Sequence, residues 1–178
     1  MIAMVTVFAM FLIMFGMIGA VRGWAKELLI VFSVILALAA ITLVEDLIGF
    51  KNTLFKNNVT MQYWFRTILL FLMVFFGYQS PSLPRFKTAT EKRDRIQDHM
   101  LGFIMGLLSG YFVIGSLWAF SSQAQYPLIA KYIQGVPPDL SHVTDQVLNI
   151  LPPIWLDSPT TIFIFVVVAF IFAIVFFL

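Results

Sequence analysis

Six charged residues, in two short segments of the sequence, have the types and spacing of an ion-pair cluster. They are Arg22, Lys26, Glu27, Arg93, Arg95 and Asp98. Guanidinium and carboxylate groups form strong paired hydrogen bonds, and basic side chains also bind phosphates. We predict that these residues form a polar cluster at one end of the protein, in which Glu27 pairs with Arg22 or with Arg95. In the simpler alternative, the basic residues only anchor the chain to phosphates, and Glu27 only compensates a helix dipole.

Long apolar stretches are the elements that must position these charges. Hydrophobic residues make up 61% of the 178 residues, and the mean hydropathy is +0.95. A bilayer core about 30 Å thick needs roughly 20 apolar residues per helix. Five stretches come close to that length, at residues 1–21, 28–44, 59–78, 100–120 and 160–178. The chain is therefore predicted to be an integral membrane protein.

The predicted fold is an all-α polytopic bundle of membrane-spanning helices. Residues 1–120 are expected to form a four-span core, and residues 160–178 a fifth, C-terminal transmembrane helix. Between them, residues 121–159 are rich in proline and carry apolar residues at helical spacing. We therefore predict that 121–159 is an external segment of short amphipathic helices, which lie on the membrane surface or cap the bundle.

Basic residues are distributed unequally over the loops, and this predicts the orientation. Seven of the eleven Lys and Arg residues lie in the first and third connections. The positive-inside rule places these connections in the cytoplasm, with the N-terminus outside and the C-terminus inside. The polar cluster would then lie at the cytoplasmic end. Arg66, inside the third span, is expected to snorkel towards the lipid headgroups.

Small residues at four-residue spacing predict where the helices touch. In lipid, such residues let two helix backbones approach closely, so that dispersion contacts accumulate. The fourth span carries a double GxxxG pattern, the first span ends with a similar one, and the fifth has one pair of alanines. The predicted helix-packing residues are Gly16, Gly19, Gly23, Gly102, Gly106, Gly110, Ala169 and Ala173. Packing within the bundle is one interpretation, and a seam for self-association or for another subunit is the alternative.

The remaining polar residues lack the partners that catalysis or metal binding needs. His99 and His142 fall on opposite sides of the predicted membrane, and Ser109 has no histidine or lysine base nearby in sequence. The chain has no cysteine, which excludes thiolate metal sites and cysteine nucleophiles. We predict no catalytic residue, no metal site, no cofactor and no enzymatic activity. Lipid or pigment could still contact the apolar faces.

Two segments resemble the colicin V production protein (CvpA) family of bacterial inner-membrane proteins. The first resembles an R-G-x-x-R-E-L pattern between the family's first two spans, with lysine at the second basic position. The second resembles a D-R-x-L-G-x-x-x-G-x-x-R-G pattern at the fourth span, with His99 and Ser109 at the two arginine positions. The matching residues are Arg22, Gly23, Glu27, Leu28, Asp98, Leu101, Gly102, Gly106 and Gly110. The resemblance implies a bacterial inner-membrane protein linked to colicin V export and envelope homeostasis.

These observations favour a structural or accessory membrane protein that is a subunit or scaffold of a larger assembly. The alternative is a small transporter or channel component involved in export or envelope homeostasis. The expected partners are membrane lipids, together with other membrane subunits or further copies of the chain. Nucleic acid is not an expected partner, because the net charge is only +2.

Labelling of single-cysteine variants tests the topology, and the natural absence of cysteine leaves the background clean. A cysteine at Thr90 should react only from the cytoplasmic side, and one at Asp145 only from the outside. Labelling of both positions from the same side would contradict the predicted arrangement of spans.

Overall fold

Apolar stretches in a bilayer must satisfy their backbone hydrogen bonds internally, so each is expected to form a helix. A computed structural model of the chain describes residues 4–47, 58–79, 95–127, 138–156 and 158–177. These residues are almost entirely helical and contain no strand. The helices are α1 Met4–Arg22, α2 Trp24–Thr42, α3 Val59–Tyr78, α4 Arg95–Gln123, α5 Pro138–Asn149, α6 Pro152–Trp155 and α7 Pro159–Phe177. A π-helical turn, Leu43–Leu47, extends α2.

The prediction of an all-α membrane bundle is confirmed. Four helical segments are long and apolar enough to cross a membrane, namely Met4–Arg22, Trp24–Glu45, Val59–Tyr78 and Ile96–Gln123. The apolar helix α7 lies where the fifth span was predicted. That α7 crosses the membrane remains a prediction, as do the orientation of the termini and the division into three segments.

Glycines join α1 to α4 in antiparallel contact. A Cβ added at Gly19 would lie 2.6 Å from the Cα of Gly106, and one at Gly106 would lie 3.0 Å from the Cα of Gly16. A Cβ at Gly102 would overlap the backbone of Gly19, and one at Gly110 would lie 2.7 Å from the Cβ of Phe15. Real side chains do not come this close, so the two backbones can touch only because these positions are glycine.

Gly23 has a different role from the other glycines predicted to pack helices. Its φ is +90°, a left-handed conformation that favours glycine, and it lies between α1 and α2. Its N–H donates to the carbonyl oxygen of Gly19 at 2.9 Å, which closes the end of α1. Only Asp98 Oδ2, at 3.9 Å, would lie near an added Cβ. Gly23 therefore makes the tight turn of the α1–α2 hairpin rather than a helix–helix contact.

Helix α2 lies at the centre of the bundle and packs against α3, α4 and α7. Ile30 and Val34 on α2 and Leu70 on α3 have no exposed surface and form the apolar centre of the core. Helix α7 packs on this core through Ile162 and the predicted packing residue Ala169, which are both buried. The backbone of Ala173 belongs to α7, but its side chain lies outside the described part of the structure.

The segment between α4 and α7 is held against the bundle at one end. Leu151 and Pro152 are buried, and they pack over Gly115 of α4. The indole N–H of Trp155 donates to the Tyr111 hydroxyl at 3.1 Å. Since α5 and α6 contact the helices directly, the described part of this segment caps the bundle.

Substituting Gly106→Leu should push α1 away from α4, because the new side chain would overlap the backbone of α1. We expect a loss of about 1–3 kcal/mol in the free energy of unfolding, measured by denaturant titration in detergent micelles. Ala9→Leu is the matched control, since Ala9 is exposed on α1. Equal free energies of unfolding for the two variants would show that the glycine contact does not contribute to stability.

Candidate functional site: two buried ion pairs

Glu27 lies in the first turn of α2 and has no exposed surface. Gly23 turns the chain between α1 and α2, and Glu27 then lies inside the bundle. Burying an isolated carboxylate in an apolar environment is very costly, so the site must supply hydrogen bonds and a counter-charge. The position at a helix N-terminus also favours a negative charge.

Two side chains from different helices meet the Glu27 carboxylate. The Ser109 hydroxyl, itself fully buried on α4, donates to Oε2 at 2.6 Å. The Nη1 of Arg22, at the end of α1, donates to Oε1 at 3.4 Å and forms an ion pair. The predicted pairing of Glu27 with Arg22 is therefore present in the structure. The carboxylate of this pair is fully buried, unlike that of a pair on an open surface.

Tyr78 places α3 in contact with this site. The Arg22 guanidinium carbon lies 4.2 Å from the centre of the Tyr78 ring, at the end of α3. A guanidinium over an aromatic face is attracted by the ring quadrupole. Arg22, Glu27, Tyr78 and Ser109 thus connect α1, α2, α3 and α4 at one end of the bundle, which we call the hairpin end.

Other members of the predicted cluster do not join this network. Lys26 is exposed at the start of α2. Asp98 lies near the turn at Gly23, and its Oδ1 atom is buried with no hydrogen-bond partner among the described residues. Arg95 belongs to α4, but its side chain is outside the described part, and Arg93 lies outside it entirely. The structure therefore leaves a pairing with Arg95 untested.

A second ion pair lies at the opposite end of the bundle. Arg66 on α3 donates to both carboxylate oxygens of Glu45, from Nε and from Nη2, each at 2.6 Å. Glu45 is buried in the π-helical turn after α2. The expectation that Arg66 snorkels to the headgroups is wrong, because a bidentate carboxylate on the neighbouring helix satisfies its charge inside the protein.

Helix α4 contributes two side chains to the second site. The Nη1 of Arg66 donates to the side-chain oxygen of Gln123, and its guanidinium lies 5.7 Å from the centre of the Phe120 ring. The Gln62 amide donates weakly to Glu45, at 3.5 Å. A small cavity of about 50 Å³ lies beside the pair. We call this end of the bundle the Arg66 end.

The two carboxylates are matched in position along α2. Glu45 lies eighteen positions after Glu27, in the π-helical turn that extends α2, so the two carboxylates lie near opposite ends of α2 and roughly 25 Å apart. That distance is close to the thickness of a bilayer core. Between them the core is apolar, and the buried Ser116 hydroxyl donates within its own helix, to the Phe112 carbonyl at 2.6 Å.

Part of this arrangement was accessible from the sequence, and part of it was missed. A pairing of Glu27 with Arg22 or with Arg95 was one of two interpretations of the hairpin, whereas Ser109, Tyr78 and the Glu45–Arg66 pair were not identified. Two signals pointed to the second pair. One was an arginine well inside a span, where an unpaired charge is costly. The other was Glu45, a carboxylate directly after the second predicted span.

The described residues contain no group of three or more His, Asp or Glu side chains that could hold a metal ion. In comparisons with known proteins, no family model, no curated protein and no solved structure matches the chain. The functional interpretation therefore depends on the two sites and on the surfaces of the bundle.

Replacing Arg66 alone should lower the free energy of unfolding far more than replacing both Arg66 and Glu45. Arg66→Ala leaves the buried Glu45 carboxylate without its counter-charge, and we expect a loss of about 3–5 kcal/mol in unfolding free energy. The double variant Glu45→Leu with Arg66→Met should be close to wild type, because two apolar side chains replace two buried charges.

Gln62→Ala is the control for this series, since Gln62 contributes only a long hydrogen bond to the same carboxylate. The three variants are compared by denaturant titration in one detergent. A loss for Arg66→Ala no greater than that for Gln62→Ala would show that the pair is solvated rather than buried.

Proposed function

We propose that this protein is a structural or accessory subunit of a larger membrane assembly, not a conduit for solutes. One observation carries the proposal: each of the buried carboxylates, Glu27 and Glu45, is engaged by an arginine of the same chain, and apart from the Thr67 and Ser116 hydroxyls the core between them is apolar. A path for ions or polar solutes needs polar groups that are free to exchange partners along its length. Here those groups fasten the helices together.

The surface of α7 supports a role in assembly. Phe163 is 67% exposed, and Ile164, Val168 and Ile171 are also exposed, whereas Ile162 on the opposite face is only 6% exposed. One face of α7 is thus fixed to its own bundle, and the other presents bulky apolar side chains to the bilayer. Such a face suits contact with lipid or with the helix of another subunit.

The cellular location is part of the same proposal. The resemblance of the hairpin and of the fourth span to the CvpA family supports a bacterial inner membrane. The distribution of basic residues supports a cytoplasmic hairpin end, with the N-terminus outside and the C-terminus inside. A multi-pass membrane protein fits the four apolar helices.

A small transporter or channel component is the second candidate. Two observations favour it: the Asp98 Oδ1 and Thr67 Oγ1 atoms are buried without a hydrogen-bond partner among the described residues. Buried polar atoms of this kind commonly bind water, and water would begin a polar path. This candidate requires hydration of the apolar section around Val34 and Leu70.

Photo-crosslinking in native membranes tests the assembly. A photoreactive phenylalanine analogue at Phe163 faces outwards, and the same analogue at Ile162 is the inward-facing control. We expect a discrete adduct with another membrane protein from position 163 and none from position 162. Adducts confined to lipid at position 163 would contradict the proposal, and an adduct of two copies of this chain would replace it with self-association.

Flux measurements in proteoliposomes test the second candidate separately. A scaffold should give proton and potassium fluxes equal to those of empty liposomes, with or without Glu27→Gln. Flux above that level in the wild type, abolished by Glu27→Gln, would favour transport and contradict the scaffold.

A further inference from the structure

A lateral groove runs between α2, α3 and α7, on the membrane-facing side of the bundle. Its volume is about 340 Å³. Apolar side chains form its walls, and the principal ones are Leu29, Phe32, Leu36, Met73, Phe76 and Phe170. Phe76 and Phe170 are more than half exposed, so they form a rim that opens towards the bilayer.

The close approach of α2 and α3 makes the floor of the groove. A Cβ added at Gly77 would lie 2.9 Å from the Cβ of Ser33, so only glycine fits there. The Ser33 hydroxyl donates to the carbonyl oxygen of Leu29 at 2.8 Å. Because this bond occupies its hydrogen, the floor offers little to a polar ligand, and an apolar one fits it better.

The shape of the groove favours a thin apolar occupant. The groove follows the line where α2 and α3 touch at Ser33 and Gly77, and Ala169 and Phe170 of α7 border it. A flexible acyl chain is thinner than a helix and can follow the floor between α2 and α3.

Basic groups lie where the groove approaches the hairpin end. Lys26 is exposed on α2, one turn before Leu29 and two turns before Ser33, and these positions share one side of the helix. Within the described ranges, no carboxylate pairs with Lys26. Arg22 stacks on Tyr78, which directly follows the groove residue Gly77. Because Arg22 is paired with Glu27, the exposed Lys26 gives the mouth of the groove its positive charge.

We propose that this groove binds one acyl chain of an anionic phospholipid, with the lipid phosphate at Lys26. The apolar walls hold the chain, and Lys26 selects a negative headgroup over a zwitterionic one. An anionic lipid would then contact α2, α3 and α7 together, joining the last helix to the four-span core.

Native mass spectrometry of the full chain, with added phosphatidylglycerol or phosphatidylcholine of identical acyl chains, tests the proposal. We expect the wild type to retain one phosphatidylglycerol preferentially. Lys26→Gln should weaken this binding about fivefold, the effect of one basic residue near an anionic headgroup, and Lys26→Arg should restore it. Leu36→Trp, which fills the groove, should reduce the binding of both lipids.

Ile68→Trp is the control for added bulk, because Ile68 is exposed on α3 and does not line the groove. It should bind phosphatidylglycerol like the wild type, and thermal unfolding confirms that each variant is folded. Equal retention of the two lipids by the wild type would overturn the proposal. So would unchanged binding in Lys26→Gln, or equal effects of Leu36→Trp and Ile68→Trp.

Discussion

The burial of Glu27 is the constraint on which the rest of the structure depends. A carboxylate with no exposed surface requires a counter-charge and hydrogen-bond donors, and no single helix can supply them all. Here Arg22 comes from α1 and Ser109 from α4, while Tyr78 of α3 covers the arginine. The contacts that compensate Glu27 therefore fix the rotation of four helices, and their position along the bundle axis, at one end of the bundle.

Close backbone contact allows these polar groups to meet. Ser109 reaches Glu27 from an α4 whose Gly102 and Gly106 touch the backbone of α1, so a wider separation would also move the serine relative to the hairpin. At the Arg66 end, the bidentate Glu45–Arg66 pair joins α2 to α3, and Gln123 adds α4. The bundle is thus fixed at both ends of α2, with an apolar core between them. This geometry is the basis of our proposal of an accessory role, since a transporter must open to pass a solute.

The sequence predicted the elements well because length and hydropathy are local properties. The predicted span at residues 59–78 coincides with α3. Contacts between helices were harder to predict, because they depend on the rotation of each helix. Ser109 was considered without a partner because Glu27 is distant in sequence. Arg66 was expected to reach the headgroups because the sequence alone does not place Glu45 beside it.

Water access to the middle of α2 tests the closed interior most directly. Because the natural chain has no cysteine, Val34→Cys and Leu70→Cys each introduce a single thiol into the apolar section. In native membranes, a small water-soluble thiol reagent should leave both unmodified while it labels Asp145→Cys, an exposed site on α5. Both buried thiols should become reactive only after unfolding. Labelling of Val34→Cys in the folded protein at a rate similar to that of Asp145→Cys would show a hydrated interior and contradict the account.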